Sequence, residues 1–143
     1  MKSLALSFLL VAAATVFSPT ARAGMLIGNY EVHTPRDPSH SWLWAVRKCE
    51  PGHPAECIHV QAIPRPNGQA TPWNGDGSLA NGHYTMVIDV PDGVRCTIYF
   101  LPSHDVYTWD AETLTGSVHS TFDAGCGGAP GGSADYPFEL VRY

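Results

Sequence analysis

From residue 24 to residue 143 apolar side chains recur at alternate positions in short runs, and nearly every run is closed by Pro, Gly or Asn. This patterning constrains the fold more than any other feature. A helix needs ten or more residues of 3.6-residue periodicity without a breaker, and no such stretch occurs. The clearest run is 83–90, where Tyr84, Met86, Ile88 and Val90 alternate with Thr85, Val87 and Asp89. Period-two alternation of this kind gives a strand with one buried face. Residues 25–32, 42–46 and 58–63 read the same way, with Trp42, Trp44 and Val46 sharing a side and Pro64 ending the third run. Asn81-Gly82 marks a two-residue hairpin, because both residues accept the positive φ such a turn requires. Pro91-Asp92-Gly93 predicts a further turn, followed by strands over 94–101 and 106–109 with a turn over 102–105. Residues 114–122 make a long strand with Leu114, Gly116, Val118, Ser120 and Phe122 on one face, and 137–143 make the last. The Pro-, Gly- and Asn-rich stretch 64–77 reads as irregular, and 125–132 as a Gly/Pro loop around Cys126. About eight short strands separated by turns predict an antiparallel all-β domain. A small barrel is the preferred architecture and a two-sheet sandwich the runner-up, since closure removes edges that a small sheet otherwise has to protect.

Residues 1–23 carry the marks of a secretory leader. Lys2 supplies the positive end, 4–17 the apolar run, Ser18-Pro19-Thr20 a helix break, and Ala21-Arg22-Ala23 the small side chains that signal peptidase reads. The expected organisation is a signal peptide over 1–23 and one disulfide-stapled domain over 24–143, located in the medium or at the cell envelope. A membrane anchor is the competing reading, but the run is short for a hydrocarbon core and ends in a processing site. The remaining sequence holds no run near 20 apolar residues, so the mature chain is expected to lack a transmembrane anchor. The chain has 8 Lys and Arg against 13 Asp and Glu. Cleavage would remove Lys2 and Arg22 and no acid, taking the net charge from -5 to about -7. Nucleic acid is not an expected partner of so acidic a chain, since gripping phosphates requires clustered Lys and Arg.

All 4 cysteines, Cys49, Cys57, Cys96 and Cys126, lie beyond the leader. In an oxidising compartment they read as two disulfides with three possible connectivities. Order along the chain favours Cys49–Cys57 and Cys96–Cys126. Loop closure would then contribute about 2.6 and about 3.7 kcal/mol respectively. Zinc on Cys49, His53 and Cys57 is the rival reading; the spacing matches no common finger and a fourth ligand is missing from it.

Signatures of catalysis are absent. There is no Gly-x-Ser-x-Gly elbow, no His-Glu-x-x-His motif, no phosphate-cradling loop and no cysteine left over as a nucleophile. No catalytic residue, metal ligand or cofactor is assigned. Asp110 and Glu112 beside Trp109 would suit sugar chemistry, while the plainer reading is a turn whose Asp accepts backbone hydrogens. The 7 histidines are scattered over loops and strands, though His59 and His83 could meet across a sheet. Aromatic residues are the remaining candidates. Trp73, Trp109 and Tyr107 are the residues expected to act as surface anchors if there is a binding site, with Trp73 alternatively plugging one end of a barrel.

The order Trp44-x-Val46-x-x-Cys49, Cys57-Ile58-His59-Val60, Trp73, Leu79-x-Asn81-Gly82, Pro91-Asp92-Gly93-x-x-Cys96, Tyr107-x-Trp109-Asp110-Ala111-x-Thr113-Leu114-x-Gly116, Cys126-Gly127-x-x-Pro130 and Pro137-Phe138-x-Leu140 resembles small secreted, disulfide-containing proteins of mycobacteria and related actinobacteria. The resemblance implies export and a single paired-cysteine domain, and it brings no catalytic set. The expected function is a secreted, non-enzymatic binding module whose partner is an envelope component, a protein or an apolar ligand. The alternatives are a hydrolase of envelope carbohydrate or lipid using Asp110 or Glu112, and a barrel carrying an apolar ligand against Tyr84, Met86, Ile88 and Val90.

Overall fold

Eight antiparallel strands, each paired with its neighbour in sequence and the last with the first, close a barrel. They are β1 (Gly28–His33), β2 (Ser41–Lys48), β3 (Ile58–Arg65), β4 (Trp73–Ala80), β5 (His83–Arg95), β6 (Phe100–Asp110), β7 (Thr115–Ala124) and β8 (Pro130–Arg142). This computed structural model describes residues 23–37, 41–65 and 70–143, so the expected leader lies outside the described residues except for Ala23. Closure leaves no open edge, which is the physical advantage of a barrel over a sandwich for one small sheet. Both disulfides follow chain order, Cys49–Cys57 and Cys96–Cys126.

The Asn81-Gly82 hairpin joins β4 to β5 as the sequence predicts, with φ of 52° and 79°. Three other expectations need correction. The turn predicted at Pro91-Asp92-Gly93 is the interior of β5, where the register slips between Val90 and Val94. A bulge tolerates the proline that regular pairing would reject. The turn predicted over 102–105 lies inside β6, and the chain instead reverses just after Cys96. Ser103 and Asp105 sit at inward positions of β6, so polar residues interrupt the apolar alternation there without interrupting the strand. Finally, β4 occupies much of the stretch read as irregular. Its glycines make room for large neighbours: a Cβ on Gly75 would collide with Ile88, and one on Gly77 would sit 3.1 Å from Ile58 and 3.3 Å from Trp109.

Trp44 occupies the centre of the barrel. Its ring lies 5.5 Å from both Tyr107 and Trp109, 5.7 Å from Phe138 and 5.8 Å from Trp73, mostly at steep angles. Tyr84 stacks on Trp109 at 5.2 Å. Edge-to-face and offset pairs of this type add about 0.5–1.5 kcal/mol each beyond burial. Eight strands enclose a space that side chains can fill, and here aromatic residues fill it.

Candidate functional site

Of the two barrel ends, one carries a buried polar cluster. The β1–β2 connection turns at Thr34, whose hydroxyl donates to the Pro137 carbonyl at 2.9 Å, and sends Arg36 back into the mouth. Arg36 Nη1 donates to Asp105 Oδ2 at 2.6 Å and Nη2 donates to the Gly93 carbonyl at 2.8 Å. Asp105 is fully buried. Its other oxygen accepts from Ser103 Oγ at 2.8 Å and Ser120 Oγ at 2.6 Å. Beside this set Asp37 accepts from Trp42 Nε1 at 2.7 Å and pairs with Arg95 at 2.6 Å. Burial opposes the charge on Arg36, yet its hydrogen bond to Asp105 and the charges of Tyr107, Asp105 and Asp37 raise its pKa above the ordinary arginine value. Tyr107, packed beneath, has its pKa raised by burial, with Arg36 pulling in the opposite direction. Among the described residues, Arg36 is paired with Asp105 and Arg95 with Asp37, so these four charges are matched within the cluster.

Below Arg36 and Asp37 the interior void measures about 10 Å³, the room of a single water molecule. Tyr84, Met86, Ile88 and Val90 face inward as expected, but they are packed and do not line this space.

The three residues expected as surface anchors are all inside. Trp109 is at the core centre, and Trp73 and Tyr107 are buried against Trp44 and against each other. Inward parity on β4 and β6 puts them there, so Trp73 takes the plug role rather than that of a surface contact. Asp110 serves a turn: its Oδ1 accepts from Glu112 N at 2.8 Å and Thr113 N at 2.9 Å. Glu112 is exposed, and Trp109 points away from both acids into the barrel.

Histidines decorate the outer wall, paired with acids at directly opposed strand positions. His59 Nδ1 lies 2.7 Å from Asp76, His104 Nδ1 2.8 Å from Asp89, and His119 Nδ1 2.7 Å from Asp135. His59 and His83, on β3 and β5, do not meet because β4 lies between them. Near the other barrel end, one donor atom from each of Cys49, His53, Cys57 and Asp76 falls within 4.8 Å of all the others, with the two sulfurs joined as a disulfide.

The most accessible apolar feature is one the sequence reading missed. Beyond the mouth, the β5–β6 and β7–β8 hairpins extend together as a lobe. The Cys96–Cys126 bridge ties them, with Cα atoms 5.4 Å apart. The first tip closes through Cys96 N donating to the Tyr99 carbonyl at 2.9 Å, and Gly127 N donates to Tyr99 Oη at 2.6 Å across the two hairpins. Consecutive side chains Ile98, Tyr99 and Phe100 are 90%, 40% and 47% exposed. No charged residue occurs in 96–103 or in 124–134. Two adjacent charge-free segments around paired cysteines were the signal available in the sequence; reading 94–101 as one continuous strand hid it by giving Ile98 a place in a sheet.

The structure defines a closed, up-and-down, eight-stranded barrel with a packed aromatic interior and a two-hairpin lobe whose tip segments 96–103 and 124–134 carry no charged side chain. The chain matches no protein-family model, no curated protein and no solved structure.

Proposed function

We propose that this chain is an exported, non-enzymatic binding module that docks onto a partner protein through the lobe, with Ile98 and Phe100 as anchors. The observation that carries the reading is the exposed, consecutive Ile98-Tyr99-Phe100 tip held in shape by the Cys96–Cys126 bridge. Consecutive exposed apolar side chains on an acidic protein favour an interaction role over a purely solvated surface. The Cys96–Cys126 bridge and the Tyr99 contacts constrain the tip backbone, which lowers the conformational entropy lost on docking and favours a partner with a preformed apolar pocket. Export is supported by the leader pattern of residues 1–23 and by the pairing of all 4 cysteines, which an oxidising compartment permits. A binding role is further supported by an interior that, among the described residues, is filled by aromatic side chains around Trp44.

The test places a photo-crosslinking amino acid at position 98 and, as control, at Val87, an exposed apolar position on the barrel wall. A discrete protein adduct from intact envelopes at 98, absent at 87 and lost in Phe100→Ser, supports the reading. Adducts of equal yield at both positions would overturn it. So would sedimentation with phosphatidylcholine vesicles that Ile98→Ser abolishes, since that assigns the lobe to a lipid surface.

A further inference from the structure

We infer that reduction of the Cys49–Cys57 disulfide turns the base of the β2–β3 hairpin into a tetrahedral zinc site made by Cys49, His53, Cys57 and Asp76. The donor the sequence lacked is supplied by β4, which lies next to β3 and brings Asp76 opposite His59. All four donor atoms already lie within 4.8 Å of one another. Ligands of a tetrahedral zinc, at about 2.0–2.3 Å from the metal, sit roughly 3.3–3.8 Å apart, so only small side-chain rotations are needed.

Three features keep the donors together once the sulfurs separate. Lys48 and Ile58 pair across the two strands just inside the cysteines. Cys49 N donates to the Cys57 carbonyl at 3.3 Å, and His53 N donates to the Glu50 carbonyl at 3.4 Å, so the backbone holds the loop independently of the sulfur bond. On β4, Asp76 Oδ1 contacts His59 Nδ1 at 2.7 Å, while His59 Nε2 is 3.3 Å from Asn74 Oδ1. This leaves Asp76 Oδ2 for a metal and orients the carboxylate, as outer partners of metal ligands commonly do. Glu50 and Glu56 in the same loop add negative charge favourable to a cation.

The chemistry balances with a thiol reductant. Two thiols are oxidised to one disulfide while the Cys49–Cys57 bond takes up two electrons and two protons. Zinc then displaces a proton from each cysteine, binding two thiolates, one neutral imidazole and one carboxylate. In an oxidising compartment the sulfurs stay joined and the site is closed. Cys49 and Cys57 thus serve as a staple when joined and, with His53 and Asp76, as a metal site when reduced.

Cobalt(II) is the probe, because its tetrahedral thiolate complexes absorb visible light. The full domain, reduced with a water-soluble phosphine, is expected to take up one cobalt per chain with this absorption and to lose it when zinc is added. Oxidised protein and reduced Cys49→Ser/Cys57→Ser should give no such band. His53→Ala and Asp76→Ala should each weaken binding by about tenfold or more. A reduced protein that keeps its far-ultraviolet circular dichroism yet shows no band overturns the inference, as does binding indifferent to both His53→Ala and Asp76→Ala. If reduction unfolds the barrel, Cys49→His/Cys57→His, which needs no reductant and keeps Cys96–Cys126, is titrated instead. Failure of that variant to bind zinc also overturns the inference.

Discussion

Replacing Arg36 with methionine tests whether the mouth cluster is a stabilising closure. Asp105 is fully buried and has three side chains donating to it: Ser103 and Ser120 on one oxygen, Arg36 on the other. Arg36→Met leaves the two hydroxyl bonds but removes the countercharge, so the Asp105 carboxyl is left buried without its ion-pair partner. Breaking one side of a buried pair in this way costs about 3–5 kcal/mol. The methionine stem still covers Tyr136, over which the Arg36 guanidinium sits at 5.5 Å, so lost packing adds little. For a domain of this size each kcal/mol lowers Tm by about 4 °C, giving a fall of about 12–20 °C. Thermal and urea unfolding, followed by fluorescence of the buried tryptophans with both disulfides intact, measures it directly. The double variant Arg36→Met/Asp105→Leu removes both charges and should recover at least about half of the loss, the remainder reflecting Ser103 and Ser120 hydroxyls deprived of their acceptor. A single-variant loss below about 1 kcal/mol, or a double variant no more stable than the single, would refute the argument.

Other perturbations address the core and its titration. Trp73→Ala should cost about 3–5 kcal/mol by opening a cavity against Trp42, Trp44 and Tyr107, and a loss under about 1 kcal/mol in urea unfolding would show that the site collapses freely. Gly116→Ala should prevent accumulation of folded protein, because its Cβ would collide with the Thr108 carbonyl and with Trp109; soluble expression with a native near-ultraviolet spectrum would contradict this. Tyr30, Tyr84 and Tyr107 have pKa values raised mainly by burial, so the folded chain holds their protons more tightly than the unfolded chain does. That contribution is complete below pH 10 and is lost as pH rises beyond it, so urea midpoints should fall steeply on the alkaline side and less steeply in Tyr107→Phe. Asp110→Ala should cost about 1 kcal/mol through the lost turn hydrogen bonds at Glu112 and Thr113, read as a Tm shift of about 4 °C.

The sequence by itself determined the all-β class and the Asn81-Gly82 hairpin, because each depends on neighbours within a few residues; the total of about eight strands agrees only because β4 was read as irregular while β6 was split by a turn. Alternation at 83–90 requires a strand wherever it packs, and two residues with positive φ require a tight turn. Chain order was also enough to choose the disulfide pairing, with Cys49–Cys57 closing the β2–β3 hairpin and Cys96–Cys126 joining the tips of two hairpins that share β6 and β7 as neighbours. Failures came where a local signal was outweighed by a distant partner. Pro91-Asp92-Gly93 looks like a turn until β6 is present to pair across a bulge. Ser103 and Asp105 look like turn residues until Arg36, 69 positions from Asp105, arrives to satisfy the carboxylate. The glycines of β4 look like flexibility until Ile88 and Trp109 need the space they leave. Only closure of the barrel decided that Trp73, Tyr107 and Trp109 point inward, that Asp76 joins the cysteine loop, and that Ile98-Tyr99-Phe100 remains outside. Those outcomes rest on which strands become neighbours, and that choice is a property of the whole sheet rather than of any one segment.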